Sequence, residues 1–304
     1  MPAVIITHTD CLAHHQAGHV ERPERLQAVL ERLRACGLAR EMGMVDAIPA
    51  DRDTLASVHP RSLVDLLCDQ EPDDGIVHID PDTFISKGSI RAAQLAAGAG
   101  TQAVDKILAG DADRVFCAVR PPGHHAERAQ AMGFCLFNSV AIAATYALEQ
   151  PSINRVAILD FDVHHCNGTV DLFRDRHEVL VCSSFQDHHY PGRYLDFTNE
   201  HIINTPLAAG AGSREFRDGI ETSWLSAVRD HRPDLILVSA GFDAHARDPL
   251  AEINLGNEDF AWIGELIRAL ADELTGGRII ATLEGGYDLA ALADSVEQFL
   301  PTLR

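Results

Sequence analysis

Apolar runs alternate along the chain with stretches of helical periodicity. The runs are AVIITH from residue 3, RVFCAVR from 114, RVAILDFD from 155, EVLVCSSF from 178, DLILVSAG from 234 and RIIATLEGG from 278. Near-continuous apolar segments of this length predict strands covered on both faces. Between them, ERPERLQAVLERLRACG, SIRAAQLAAGAGTQAVDKILAG, SREFRDGIETSWLSAVRDH and NEDFAWIGELIRALADELTGG carry apolar residues at helical spacing. Asn257 is expected as an N-cap, and Gly37 and Gly276 as helix stops. This alternation predicts right-handed βαβ units, hence an α/β fold with a mostly parallel sheet between helices. No Pro/Gly/Ser-rich linker, repeat or low-complexity tract divides the 304 residues, so a single domain over 1–304 is expected.

In such sheets ligands bind beyond the carboxyl ends of the strands. Here those ends run into polar clusters: PPGHHAERAQAMGFC, VHHCNG, QDHHYPG, FDAHARDP and YDLA. The strand around residue 158 leads to Asp160, Asp162 and His164 at alternate positions, which would put them on one strand face. Burying two carboxylates and an imidazole together costs several kcal/mol unless a charge compensates them. Asp162 and His164, joined by Asp243 from another strand end, give a divalent cation a charge-neutral ligand set. Three protein ligands leave positions open for water and substrate, the catalytic pattern.

His124 and His125 follow the PPG turn and are suited to dividing proton transfer between them. Asp160 and Asn167 are their expected orienters, and a carboxylate beside one imidazole and an amide beside the other drives the two pKa values apart. Tyr287, after Glu284-Gly285-Gly286, offers a phenolic donor to an oxyanion. Phe134 and Tyr190 are candidates for the walls of an apolar slot, against ordinary core packing. His8, His14, His15 and His19 read as loop residues near the site mouth, and His188 and His189 are left unassigned.

Composition narrows the partners. Lys and Arg number 25 against 45 Asp and Glu, a net charge of −20. That argues against a nucleic-acid binder and is compatible with cationic substrates or simply with an acidic surface. No basic segment precedes an apolar one at the N-terminus, and no apolar run approaches the roughly 20 residues that span a bilayer, so no membrane partner is expected. Seven cysteines without a CxxC pair suggest reduced thiols and a cytoplasmic location. Oligomeric state is not read from the sequence.

Taken together, HVERPERLQAVLERL, IDPDTFISKGSIRAA, RPPGHHAERAQAMGFCLFN, ILDFDVHHCNGT, VSAGFDAHARDPL and LEGGYDL resemble the zinc-dependent histone deacetylase family, in its class II and bacterial amidohydrolase branches. The resemblance implies an arginase/deacetylase fold with about eight strands. It implies Asp162, His164 and Asp243 as zinc ligands, with Fe2+ or Co2+ as alternatives because oxygen and imidazole suit several divalent ions. By the same resemblance, the carbonyl of Gly133 receives the substrate amide, Phe134 and Tyr190 wall an acyl-lysine tunnel, and Arg25 lies beneath the site. Asp160 and Ser183, with carbonyls of Asp162, His164 and Ser184, match a structural K+ site. The implied activity is hydrolysis of N-acyl-lysine or a related small acylamine. An acetylpolyamine amidohydrolase is the alternative, with Asp80 or Asp82 facing a cationic amine, and a non-catalytic acyl-ligand-binding module is the third reading.

Four positions depart from the family pattern. Cys166 replaces a glycine and is expected to shift the turn or crowd His125; Phe185 replaces a histidine; His15 and Val20 alter the first loop. Cys166 and His245 also stand where two-metal ureohydrolases of the same fold need carboxylates, which argues for one metal.

Overall fold

Strands buried on both faces form the middle of the fold. In the computed structural model, which describes residues 3–304, these are β1 (Ala3–Thr7), β5 (Arg114–Cys117), β6 (Val156–Asp160), β7 (Val179–Gln186), β9 (Leu235–Ala240) and β10 (Ile279–Leu283). Two further strands, β2 (Met44–Asp46) and β8 (Ile202–Leu207), close the edges, and a short hairpin pairs β3 (Ile76–His78) with β4 (Phe84–Ser86). Among the described residues the main sheet has eight strands in the order β2-β1-β5-β10-β9-β6-β7-β8, all parallel. The α/β architecture and the strand count both agree with expectation.

The edge strands escaped the pattern reading for a physical reason. β8, IINTPL, is only partly buried and carries Pro206, a residue tolerated at sheet edges, so it lacks the apolar run of a central strand. The four periodic segments are helices at Pro23–Ala35, Ser89–Ala109, Ser213–His231 and Asn257–Leu274. Asn257 is not the N-cap. Gly256 is, and its amide donates to the Asp259 carboxylate at 3.0 Å, so the capping acceptor comes from inside the helix. The alanine-rich helix Ser89–Ala109 packs on Ser139–Leu148 so closely that a Cβ on Gly100 would stand 2.9 Å from that of Ala143. No helix among the described residues is long and apolar enough to cross a membrane.

A buried ion network braces the first helix beneath the sheet's carboxyl ends. Arg120 donates to both oxygens of Glu21 at 2.8 and 2.5 Å, and Arg25 adds a third bond at 3.0 Å. Burial alone would raise the Glu21 carboxyl, but Arg120 outweighs it and holds the group at about 2.

Candidate active site

β6 stops at Asp160, whose register partners are Ser183 on β7 and Ser239 on β9. Asp162 and His164 lie in the bends beyond it, so the three polar residues do not share one strand face. The reason is local. Asp160 accepts the amide of residue 162 at 3.1 Å, and Asp162 accepts that of residue 164 at 2.9 Å, two turns that lift the chain off the sheet. Asp160 is thereby turned toward His124, while Asp162 and His164 meet Asp243 from the end of β9.

His164 Nδ1 lies 3.1 Å from Asp162 Oδ1 and 3.2 Å from Asp243 Oδ2, with all three residues buried. These separations approach the spacing of about 3.3 Å that tetrahedral ligation near 2.0 Å produces. Backbone is pressed against both carboxylates: a Cβ on Gly285 would fall 2.0 Å from Asp243 Oδ2, and one on Gly241 would fall 2.1 Å from Asp162 Oδ2. Donor types, spacing and enclosure fit a divalent cation, and the three form a candidate metal-binding group. His245 stands apart from it, its Nδ1 accepting the amide of Arg247 at 3.0 Å.

His124 and His125 sit side by side, ring centroids 4.0 Å apart. His124 Nδ1 faces Asp160 Oδ2 at 3.0 Å, and His125 Nδ1 faces Asn167 Oδ1 at 2.7 Å. The Asn167 amide nitrogen donates to Glu127 at 2.8 Å, which points its carbonyl oxygen at His125. Both Nδ1 atoms therefore carry hydrogen, and both Nε2 atoms are left for chemistry. Burial depresses both imidazoles; for His124, Asp162 and Asp160 outweigh burial and lift it to about 10. For His125, burial is reinforced by His124 and His164, and its pKa falls well below the usual imidazole range. Cys166 does not crowd the pair: its φ of −77° suits any residue, and the bond from His125 to the adjacent Asn167 is intact.

Tyr287 stands opposite. Its amide donates to Asp248 at 2.7 Å, and its ring lies beneath the Arg25 guanidinium, 4.7 Å to the centroid. Arg25 also donates at 2.5 Å to the carbonyls of Glu284 and Gly286. Burial pushes the Tyr287 hydroxyl well above the ordinary phenol value despite Arg25, so it stays a hydrogen-bond donor. Glu284 accepts the amides of Gly123 at 2.6 Å and His124 at 3.2 Å, fastening the histidine loop to the end of β10.

These groups open into one cavity of about 180 Å³ lined by His125, His164, Gly133, Phe134, Tyr190 and Tyr287. Gly133 has φ +58°, and a Cβ there would collide with His125 at 2.6 Å. Its carbonyl receives the Cys135 thiol at 3.2 Å. Phe134 holds a left-handed φ of 66°, strain of about 1–3 kcal/mol in a non-glycine residue, fixed by the hydrogen bond its amide donates to the Thr83 hydroxyl at 3.0 Å. Asp82, His189 and Leu250 complete the walls.

Asp80 is not among the lining residues: its carboxylate accepts the amides of Asp82 at 3.0 Å and Thr83 at 2.6 Å. Burial, then Asp80, lift the Asp82 carboxyl to about 6. His14 is a loop residue, as expected, but a buried one. It is stacked on Phe84 at 4.3 Å and bonded to Ser89 at 2.7 Å. His19 packs edge-on against Phe134 at 4.8 Å. Phe185 packs on His165 at 4.4 Å, and Ser183, beside Asp160, has its hydroxyl 2.9 Å from His165 Nδ1. Ser184 continues the strand, paired with Thr205.

Sequence reasoning missed Glu127, Asp248, Glu284, His189 and Leu250. Glu284 and Asp248 lie within the quoted LEGGYDL and FDAHARDPL segments, but their roles rest on contacts 161 and 39 residues away.

Comparison with known proteins follows the same lines. The histone deacetylase domain family matches residues 19–303. A histone deacetylase-like amidohydrolase of Pseudomonas aeruginosa is 37% identical over 281 residues, covering 90% of this chain and 74% of that one. The chloroplastic histone deacetylase 10 of Oryza sativa subsp. japonica is 36% identical over 307 residues, covering 94% and 69%. The polyamine deacetylase HDAC10 of Homo sapiens is 36% identical over 309 residues, covering 93% of this chain and 44% of that one. The crystal structure of the HDA15 HD domain superposes with a TM-score of 0.93 at 30% identity, covering 99% of this chain and 88% of that one.

Proposed function

The chain belongs to the histone deacetylase family and is a deacetylase-type amidohydrolase, and on that premise we propose that it cleaves N-acyl-lysine or a related N-acylamine to a carboxylate and a free amine. One observation carries this reading. His164 of the metal-ligand cluster, His125 of the histidine pair and Tyr287 all line a single cavity whose Phe134 and Tyr190 walls suit a thin alkyl chain, with Asp162, Asp243 and His124 buried behind them.

Asp162, His164 and Asp243 would hold the ion, proposed to be Zn2+. Bound there, it supplies Lewis acidity that polarises the amide carbonyl and acidifies water. His125, neutral and with Nε2 free, accepts the water proton; His124, kept protonated by Asp162 and Asp160, gives a proton to the departing amine nitrogen. Tyr287 donates to the carbonyl oxygen as negative charge develops on it. Gly133 offers its carbonyl to the substrate N–H, and the Phe134 and Tyr190 rings exclude solvent around the chain. Asp160 and Ser183, neighbours in register, together with carbonyls of Asp162, His164 and Ser184, would hold K+ behind the cluster. Free cysteines throughout agree with a cytoplasmic enzyme.

Acetylpolyamines form a second reading, favoured by one specific observation: Asp82, a carboxylate, lies in the cavity wall. A panel of acetyl-lysine peptides, longer acyl-lysines and acetylated polyamines, assayed on metal-reconstituted protein, tests both. Turnover of lysine substrates or of polyamines ranks them. Tight hydroxamate binding with no turnover of any acylamine would establish a binding module instead.

A further inference from the structure

At the rim of the sheet opposite the cleft, the segments entering β7 and β8 bring His177, Glu200 and His201 together. One ligand-capable atom from each lies within 4.8 Å of the other two. His177 Nδ1 is 3.0 Å from Glu200 Oε1, and the two imidazoles meet edge to face with centroids 4.6 Å apart. His177 and Glu200 are exposed, whereas His201 is 3% exposed.

The protonation of His201 follows from its neighbour. Its Nε2 lies 3.2 Å from the carbonyl oxygen of Phe173, which can only accept, so Nε2 carries the hydrogen. Nδ1 then bears a lone pair, and it is buried without a hydrogen-bond partner. A buried imidazole that donates through one nitrogen to a backbone carbonyl, keeps the other unpartnered and packs beside a carboxylate and a second imidazole is suited to ligating a metal.

We propose that His177, Glu200 and His201 form a second metal site, distinct from the catalytic cluster, for a borderline divalent cation such as Zn2+, Ni2+ or Cu2+. Two imidazoles and one carboxylate suit those ions rather than Mg2+ or Ca2+, which prefer all-oxygen shells. The His177 and Glu200 side chains are exposed, so water can complete the ion's shell. An ion held there joins His177, two residues ahead of β7, to His201, the residue before β8. It thus ties β7 to β8 at the end of the strands away from the cavity.

The test uses the whole 304-residue chain, metal-reconstituted. Equilibrium dialysis against Zn2+ should give a second bound equivalent, weakened at least about tenfold in His177→Ala and in Glu200→Gln, with deacetylase turnover unchanged in both. Cu2+ added to protein whose catalytic site is already loaded should show an electron paramagnetic resonance spectrum with coupling to two imidazole nitrogens, reduced to one in His177→Ala. A single Zn2+ equivalent in the wild type at saturating metal, or a second equivalent and two-nitrogen coupling that survive in His177→Ala, would overturn the assignment and leave an exposed ion pair over a packed histidine.

Discussion

Arg25 stacks 4.7 Å over the ring of Tyr287 and donates at 2.5 Å to the carbonyl of Gly286, the residue just before it. A buried guanidinium thus fixes both the ring and the turn that carries it. Replacing Arg25 by Met removes that brace but leaves Glu21 with Arg120. We expect a loss of about 1–3 kcal/mol, the cost of leaving buried acceptors without a donor, together with lower kcat. Urea denaturation and steady-state kinetics measure both, and an unchanged denaturation midpoint would contradict the bracing role.

Tyr287→Phe keeps the ring and deletes the donor. Turnover should fall by about 10²–10³-fold, as for removal of one oxyanion donor, while bound metal by elemental analysis stays at the wild-type level. Wild-type turnover would remove Tyr287 from the reaction.

Asp82→Asn tests charge recognition at the cavity wall. For a cationic acylamine, kcat/KM should drop roughly three- to fivefold, the effect of a partly solvated ion pair, and for an uncharged acylamine it should not change. The Asp82 carboxyl sits at about 6, so it is neutral below that pH and anionic above it. Preference for cationic over neutral substrate should therefore grow as pH rises through about 6. Equal losses on both substrates would reduce Asp82 to a wall.

Acid should destabilise the fold through histidines that are buried neutral. His59 Nδ1 faces the carbonyls of Glu127 and Arg128, Nε2 accepts the amide of Asn138 at 3.0 Å, and burial lowers its pKa from 6.5 to about 4. Because the folded value lies below the unfolded one, the unfolded chain binds the extra proton. Stability is then complete above pH 6.5 and is lost as pH falls toward 4, by on the order of 3 kcal/mol from this group. His14, held at about 3 by burial, acts in the same direction. Urea midpoints between neutral pH and pH 4.5 should fall, and less steeply in His59→Gln; a flat profile would contradict this.

Cys166→Gly restores a glycine the backbone does not require, since φ is −77°. Loss of a buried side chain and added chain freedom should cost about 1 kcal/mol, with kcat within about twofold of wild type. A large rise in kcat would mean that the thiol does strain the histidine turn.

The legible parts of this molecule were those fixed by local pattern. Central strands announce themselves because both faces are buried, and long helices because one face is. The edge strand at Ile202–Leu207, half solvated and interrupted by Pro206, has neither signal. At the site, residue types in short motifs pointed to the cluster, but not to what lies between motifs. Asp80 and Asp82 are indistinguishable in IDPDTF until the turn shows that the former is consumed by backbone amides. The geometry of Asp162 and His164 was misread because Asx turns, not strand alternation, aim them.

The grip of Glu284 on the amides of Gly123 and His124 has a practical corollary for anyone reshaping this cleft. The histidine pair and Tyr287, the proposed proton carriers and carbonyl donor, are indexed to one another through a single carboxylate three residues ahead of Tyr287. Grafting either loop alone onto a different scaffold would lose that alignment, so the two should be transplanted together with the strand end that links them.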